Sequence, residues 1–414
     1  MSTKALKARY VFPVDGAPIE GGVVHIRGNR IVEVGRHVTA AAIEDLGDVA
    51  ILPGLINVHC HLEFSQLQRP IGVPGLPFAD WIRQVIHWRL AAAITDCRPY
   101  WQQAIRIGLR ESFAAGVTCV GDIVTVDDAA ECYADYLGQA VLFRELLGLA
   151  VDRAAGLKTV ARNHVAESQT AIGQLLYALS PHAPYSTRMD VVHDACQLSR
   201  QHRFPVAMHL AESQEELELL NSGTGPLVQL LVELGAWDQT AIPCPATCAQ
   251  YIDCLSHAHQ ALIIHGNYLT PSEWDQLAQF SARMVVVYCP RTHRYFGHPE
   301  FRLAEMIQAG VKVAIATDGR SSNPDLNLLD DLRTAARCHS DVDPAIILRA
   351  ATLTAAEAIG CEQDRGSLRP GKRADLVTVP VAPGTHQDPW SALFGSDAPV
   401  QRVYVGGAEC RNEE

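Results

Sequence analysis

His59-Cys60-His61 closes an apolar stretch, LPGLINV. Alternate residues of an extended segment point to the same side, so the two imidazoles can grip one cation. A third imidazole, His209, comes at the end of the apolar PVAM, with Glu212 three residues further on. His265 ends ALII, and Asp318 ends VKVAIAT. An acid or imidazole terminating a buried run is costly unless it is paired or bound to a metal. Three neutral imidazoles and one carboxylate (His59, His61, His209, Asp318) make a donor set for one divalent cation. Zn²⁺ is the expected ion, and Fe²⁺ suits the same ligand types. A cation held there lowers the pKa of a water from ~15.7 toward ~7. Glu212 is placed to shuttle the water's proton to a leaving group, and His265 to orient the water or stabilise developing charge. Asp318 can accept a hydrogen bond from the water while ligating.

The sequence contains its own control. His164-Val-Ala-Glu167-Ser168 nearly repeats His209 to Ser213, but it follows VARN and precedes SQTAIGQLL. That context reads as the solvated face of a helix, so the later copy is expected to be the site. Lysine usage bears on the metal count. Only Lys4, Lys7, Lys158, Lys312 and Lys372 are present, and none ends an apolar run. With no lysine to bridge two ions as a carbamate, one metal is expected. Cys244, Cys248, Cys254, His257 and His259 match no standard zinc spacing.

Something must bring these residues together. Short apolar runs occupy 51–59, 116–124, 139–146, 177–183, 205–212, 261–267, 284–290 and 311–319, and helix-like spacing fills stretches such as 98–115 between them. Eight buried strands alternating with helices predict an α/β fold, a (β/α)8 TIM barrel, whose strand ends converge on one mouth. His59, His61, His182, His209, Glu212, His265 and Asp318 all lie at or near such ends. An open doubly wound sheet is the rival, but no glycine-rich phosphate fingerprint is present. Both chain ends are rich in short β segments, such as GGVVHIRGN and QRVYVGGAEC. They predict one small sheet domain from residues 1–50 and 369–414, around a barrel at 51–368.

The 414 residues are long for a single core, with 48% apolar and 19% charged residues. A net charge of -12 argues against a nucleic-acid partner. No apolar stretch is long enough for a bilayer, and MSTKALKARYVFPVDG lacks a signal peptide's apolar run. Twelve cysteines without framework spacing read as reduced thiols. A cytoplasmic enzyme acting on a small molecule, without membrane attachment, is expected.

The segments LPGLINVHCHLEFS, GVTCVGDI, SPHAPYS, HLAES, IIHG, CPRTHRYFGHP, ATDGRSSNPDLNLLDDLR and GSLRPGKRADLVTV together resemble the amidohydrolase superfamily. Within it they resemble the mononuclear aminohydrolase branch, which includes methylthioadenosine/S-adenosylhomocysteine deaminases, aminodeoxyfutalosine deaminases and chlorohydrolases. The resemblance covers essentially the whole chain. It implies ligands at His59, His61, His209 and Asp318, catalytic Glu212 and His265, a substrate-facing His182, a small β-sandwich domain made from both chain ends, and a homo-oligomer, dimer or larger. It further implies hydrolytic deamination of an aminated aromatic heterocycle, an adenine nucleoside derivative foremost. A chlorohydrolase or ring amidohydrolase would use the same site, and a catalytically silent scaffold is the non-enzymatic alternative. The opening His-x-His-Leu-Glu63-Phe-Ser looks more like aminodeoxyfutalosine deaminases than methylthioadenosine-type enzymes. Glu63 then has two readings, contact with a ring nitrogen or sugar hydroxyl, or support of a ligand. Trp81 and Phe78 either cover a bound ring or pack a helix. Arg144 and Arg320 are candidates to pair with a substrate carboxylate, and Arg291, His293 and His298 to shape the pocket.

Overall fold

A computed structural model describes residues 3–39, 42–92, 97–127, 129–167, 175–383 and 388–410. Its largest sheet has eight parallel strands that neighbour one another in chain order: β1 (Leu55–Cys60), β2 (Val117–Val124), β3 (Gln139–Leu146), β4 (Leu175–Pro181), β5 (Pro205–Leu210), β6 (Gln260–His265), β7 (Met284–Tyr288) and β8 (Val313–Ile315). Each falls largely within an expected apolar run, and helices flank the sheet on the outside. The helix Met189–His202 shows the pattern. It buries Val191, Val192, Ala195, Cys196 and Ser199, one face at helical spacing, and stops at Arg203, whose φ of 60° is left-handed. The seam between β8 and β1 is closed by side chains. Asn57 Nδ2 donates to Thr317 Oγ1 at 2.8 Å, and the amides of Thr317 and Asp318 donate to Asn57 Oδ1 and the His59 carbonyl at 3.2 Å each. The architecture is a (β/α)8 barrel.

The chain ends supply two further sheets. One orders Arg30–Gly35, Val23–Arg27, Thr3–Lys7 and Ile43–Asp45; the other orders Ala408–Cys410, Arg402–Val405, Leu376–Pro380, Val49–Pro53, Tyr10–Val11 and Ile19–Glu20. Leu6, Val24, Ile26 and Ile31 from the first pack against Val11, Ile51, Leu376 and Tyr404 from the second. The apolar run 51–59 is therefore divided rather than continuous. Its first part, to Pro53, pairs with Leu376–Pro380 in the sandwich, and only the part from Leu55 enters the barrel. Gly54 makes the break: its amide bonds the Asp375 carbonyl at 2.8 Å, and a Cβ there would collide with Thr118.

The control segment also departs from expectation in part. Residues up to Glu167 form the end of the helix Val151–Glu167, but His164 is not solvated. Its Nε2 lies 3.1 Å from the Leu142 carbonyl of β3, and burial drops its pKa to about 4. Ser168 lies outside the described residues. No helix among the described residues is long and apolar enough to cross a membrane.

Candidate metal centre and active site

β1 aims His59 and His61 into the barrel mouth, and β5 brings His209 to meet them. One ring nitrogen from each of the three lies within 4.8 Å of the others. Asp318 closes the group from β8, with Oδ1 3.4 Å from His59 Nε2 and 3.6 Å from His61 Nε2. Each ligand candidate is aimed by a neighbour. His209 Nδ1 donates to the His182 carbonyl at 3.0 Å, which turns Nε2 toward the group, and Ser322 Oγ donates to Asp318 Oδ2 at 2.7 Å. Gly319 has to be small, because a Cβ would meet His61 Cβ at 2.9 Å.

His265 reaches the site against the pleat. Its register partner is Leu210, which points away from the side His209 occupies. A φ of 69° breaks the alternation and turns the imidazole inward, so that its ring centre lies 5.5 Å from that of His209. Asp318 (φ 61°) and Ala211 (φ 54°) are left-handed as well. Such backbone costs about 1–3 kcal/mol per residue and gathers at functional sites. Glu212, just past Ala211, puts Oε1 3.3 Å from His265 Nε2.

The electrostatics suit a cation. Burial lowers the pKa of His59, His61 and His265 well below the usual imidazole value, and that of His209 and His182 to about 4, so all five are neutral lone-pair donors. Burial would raise Asp318, but the imidazoles of His61 and His265 and the Ser322 hydroxyl hold it below its ordinary value. Burial, reinforced by Asp318 and Glu216, pushes Glu212 well above the carboxylate range. Most telling is His59, which is fully buried while neither ring nitrogen makes a hydrogen bond among the described residues. An imidazole in that state is costly unless a metal takes its lone pair. The residues present fit a divalent cation.

Other expected site residues fall into two groups. His182 faces the centre: its ring lies 5.0 Å from that of His209, and Nδ1 is 2.5 Å from Ser186 Oγ. Phe78 and Trp81 stack, and both meet Phe296 edge-on at 5.7 and 5.0 Å. The indole N–H of Trp81 donates to the Ser321 carbonyl at 3.2 Å, so Trp81 is fixed within an aromatic wall. The helix Phe78–Ala92 that carries it is held at its N-terminus by Glu215, which accepts from the amides of Phe78 and Ala79 at 3.0 and 2.7 Å.

The second group is engaged by the framework. Glu63 is fully buried and accepts from the amides of Thr125 and Val126, from the Thr125 hydroxyl and from Arg89 Nη2. That favours support of the His61 segment over contact with substrate. Arg320 grips both oxygens of Glu111 and donates to the carbonyls of Leu67 and Pro324. Arg144 bonds the Val126 carbonyl and Asp127, and Arg291 bonds Asp331 and Asp325. The geometry does not carry a role for Arg144 or Arg320 on a substrate carboxylate. For Arg144 the pleat explains why. It shares a face with Leu142, while Phe143 and Glu145 face the interior, where Phe143 stands against Gly121 and Val58.

Two acids escaped sequence reasoning. Glu145 is largely covered and lies 3.9 Å from His182 Nε2. Strand alternation from Phe143 was the signal that would have found it. Glu216 accepts from the amides of Ala211 and Glu212, at 2.9 Å each, and so holds the left-handed turn that delivers Glu212. Its signal was the Ser213-x-x-Glu216 capping pattern.

The sequence profile of the amidohydrolase family matches residues 50–410. The chain belongs to the amidohydrolase family. This amidohydrolase is similar to 5-methylthioadenosine/S-adenosylhomocysteine deaminases from Moorella thermoacetica, at 29% identity covering 89% of this chain and 83% of the relative, and Pyrococcus furiosus, at 27% covering 86% and 81%. Its fold matches Helicobacter pylori aminofutalosine deaminase with a TM-score of 0.81 and 24% identity, covering 99% of this chain and 100% of that one. It also matches an adenosine deaminase from Xanthomonas campestris with bound zinc, with a TM-score of 0.75 and 26% identity, covering 98% and 92%. The amidohydrolase is thus a hydrolase of carbon–nitrogen bonds with a candidate metal site.

Proposed function

We propose that this amidohydrolase is a zinc-dependent deaminase of adenine nucleoside derivatives. In this reading His59, His61, His209 and Asp318 hold one ion. The observation that carries it is the Glu212–His265 pair, 3.3 Å apart beside the three imidazoles. The ion supplies Lewis acidity and an acidified water when bound. The chain's own residues do the rest. Glu212, its pKa raised by burial, takes one proton from the attacking water and passes it to a ring nitrogen, then carries the remaining hydroxyl proton to the amine, which departs as ammonia. His265, kept neutral, orients the attacking oxygen against Glu212, and His182 contacts the ring. The buried mouth and the aromatic wall of Phe78, Trp81 and Phe296 keep bulk water from the reacting edge.

The deaminase names of relatives spanning most of the chain support the substrate class. The described cysteines are free, which supports a reducing, cytoplasmic setting. The proposal includes a homo-oligomer, to be read by sedimentation, and places the barrel at 54–368 with both chain ends in the sandwich. The test is ammonia release by zinc-loaded protein from adenosine, 5′-methylthioadenosine, S-adenosylhomocysteine, purine bases, pterins and aminotriazines. Release from the adenosine group is expected. Silence across the panel, or halide release from chlorinated triazines without deamination, overturns the reading.

A further inference from the structure

Glu145 sits on the face of β3 that looks into the barrel, one imidazole back from the metal ligands. His182 stands between: its ring is 5.0 Å from His209, and its Nε2 is 3.9 Å from Glu145 Oε1, beyond hydrogen-bond reach. The Glu145 side chain is 10% exposed, yet no hydrogen bond from the described residues reaches its carboxylate. A carboxylate largely withdrawn from water and without donors is a ready acceptor for a bound molecule, and such groups gather at functional sites.

The surrounding charges are already matched. Glu63 faces Arg89, Glu216 is capped by two amides, Arg144 faces Asp127, and Arg320 faces Glu111. Glu145 thus leaves this part of the mouth with an unfilled acceptor, which the charges of Arg89 and Arg144 reach without a hydrogen bond.

We propose that Glu145 accepts a hydrogen bond from a hydroxyl on the substituent carried by the substrate's ring. The site would then select a ring with a neutral, hydroxylated arm over a bare ring or one with an anionic arm. This rests on the deaminase reading above and adds the residue that reads the arm. Three features support it: the direction of the pleat, the unfilled acceptor, and the offset of one imidazole from the ligands, which matches the step from a ring's reacting edge to its substituent. An acceptor of this kind offers nothing to an anionic arm, which has no hydrogen to donate to it.

The experiment compares zinc-loaded wild type with Glu145→Gln and Glu145→Ala on adenosine, 5′-methylthioadenosine, free adenine and adenosine 5′-carboxylic acid. Wild type is expected to favour the neutral nucleosides. Glu145→Ala should raise KM for them by roughly ten- to a hundredfold with a much smaller change in kcat, and the loss should exceed that for adenine at least tenfold. Glu145→Gln, which keeps an acceptor without the charge, should retain most nucleoside affinity and gain on the carboxylic acid. Because the carboxylate accepts no hydrogen bond from the described residues, Glu145→Gln should melt at or above the wild-type temperature. Equal losses on nucleoside and base, unchanged KM, a preference for the carboxylic acid, or a lowered Tm in Glu145→Gln overturns the proposal. If wild type itself releases no ammonia from any substrate, the deaminase reading falls too, a result distinct from active wild type with unselective variants.

Discussion

Replacing Glu63 separates its two readings. The carboxylate accepts from Thr125 N at 2.7 Å, Val126 N at 3.2 Å, Thr125 Oγ1 at 2.5 Å and Arg89 Nη2 at 3.0 Å. Glu63→Ala leaves two backbone amides, a hydroxyl and a guanidinium without their acceptor. Orphaned buried donors cost about 1–3 kcal/mol apiece, and breaking a buried pair about 3–5 kcal/mol. These overlap, and Arg89 is 29% exposed, so solvent takes up part of its charge. A net loss of about 3–5 kcal/mol follows, or a Tm lower by roughly 3–6 °C for a chain of this length. Glu63→Gln keeps an oxygen for the amides and should lose about 1–3 kcal/mol. In both variants kcat should fall more than KM rises, because Glu63 ties the His61 segment to the end of β2 and its loss loosens a ligand. Thermal melts and steady-state ammonia release read the two effects. A Glu63→Gln enzyme that melts with wild type but needs tenfold more substrate would refute this reasoning and return Glu63 to the substrate.

Stripping the protein with a chelator should abolish ammonia release and lower Tm, and one equivalent of zinc should restore both. Saturation at a hundred times Kd is worth about 2.7 kcal/mol, and full activity in demonstrably metal-free protein would contradict the site. Gly319→Ala sets a Cβ 2.9 Å from His61 Cβ; metal content per chain, measured by elemental analysis, should fall while the far-ultraviolet circular dichroism stays that of wild type. Asp122, buried between β1 and β2, has its pKa pushed to about 8, chiefly by burial. An acid raised on folding stabilises fully below its unfolded value near 4, and that contribution fades as pH climbs to about 8. Relative to Asp122→Asn, wild type should lose up to about 1.4 kcal/mol per pH unit across that window in denaturant titrations; a pH-independent difference would show that Asp122 stays ionised.

The barrel was legible because buried parallel strands write themselves as unbroken apolar runs, and the metal candidates because each ends such a run. Direction along a strand was harder to read. Arg144 and Glu145 are adjacent, and only the 3.9 Å approach of Glu145 to His182 shows which of them looks inward. His265 defies alternation altogether, through a left-handed φ that a histidine rarely adopts and a sequence does not announce. His164 resembled a surface residue because its partner, the Leu142 carbonyl, belongs to another element. Arg320 looked free because Glu111 lies 209 positions away. Local pattern reports which residues end strands, whereas partners distant in the chain decide what those residues are free to do.

The hinge at Gly54 has a consequence for the order in which the protein is made. The strand Val49–Pro53 runs directly into β1, yet its sandwich partner, Leu376–Pro380, leaves the ribosome more than three hundred residues later. Asp318 and the Thr317–Asn57 contact that closes the seam are likewise late arrivals. His59 and His61 are therefore among the first site residues synthesised and among the last to be fixed. A nascent chain holds two of the four candidate ligands until His209 emerges and three until Asp318 does. The order of synthesis thus sets the order in which the candidate site can assemble.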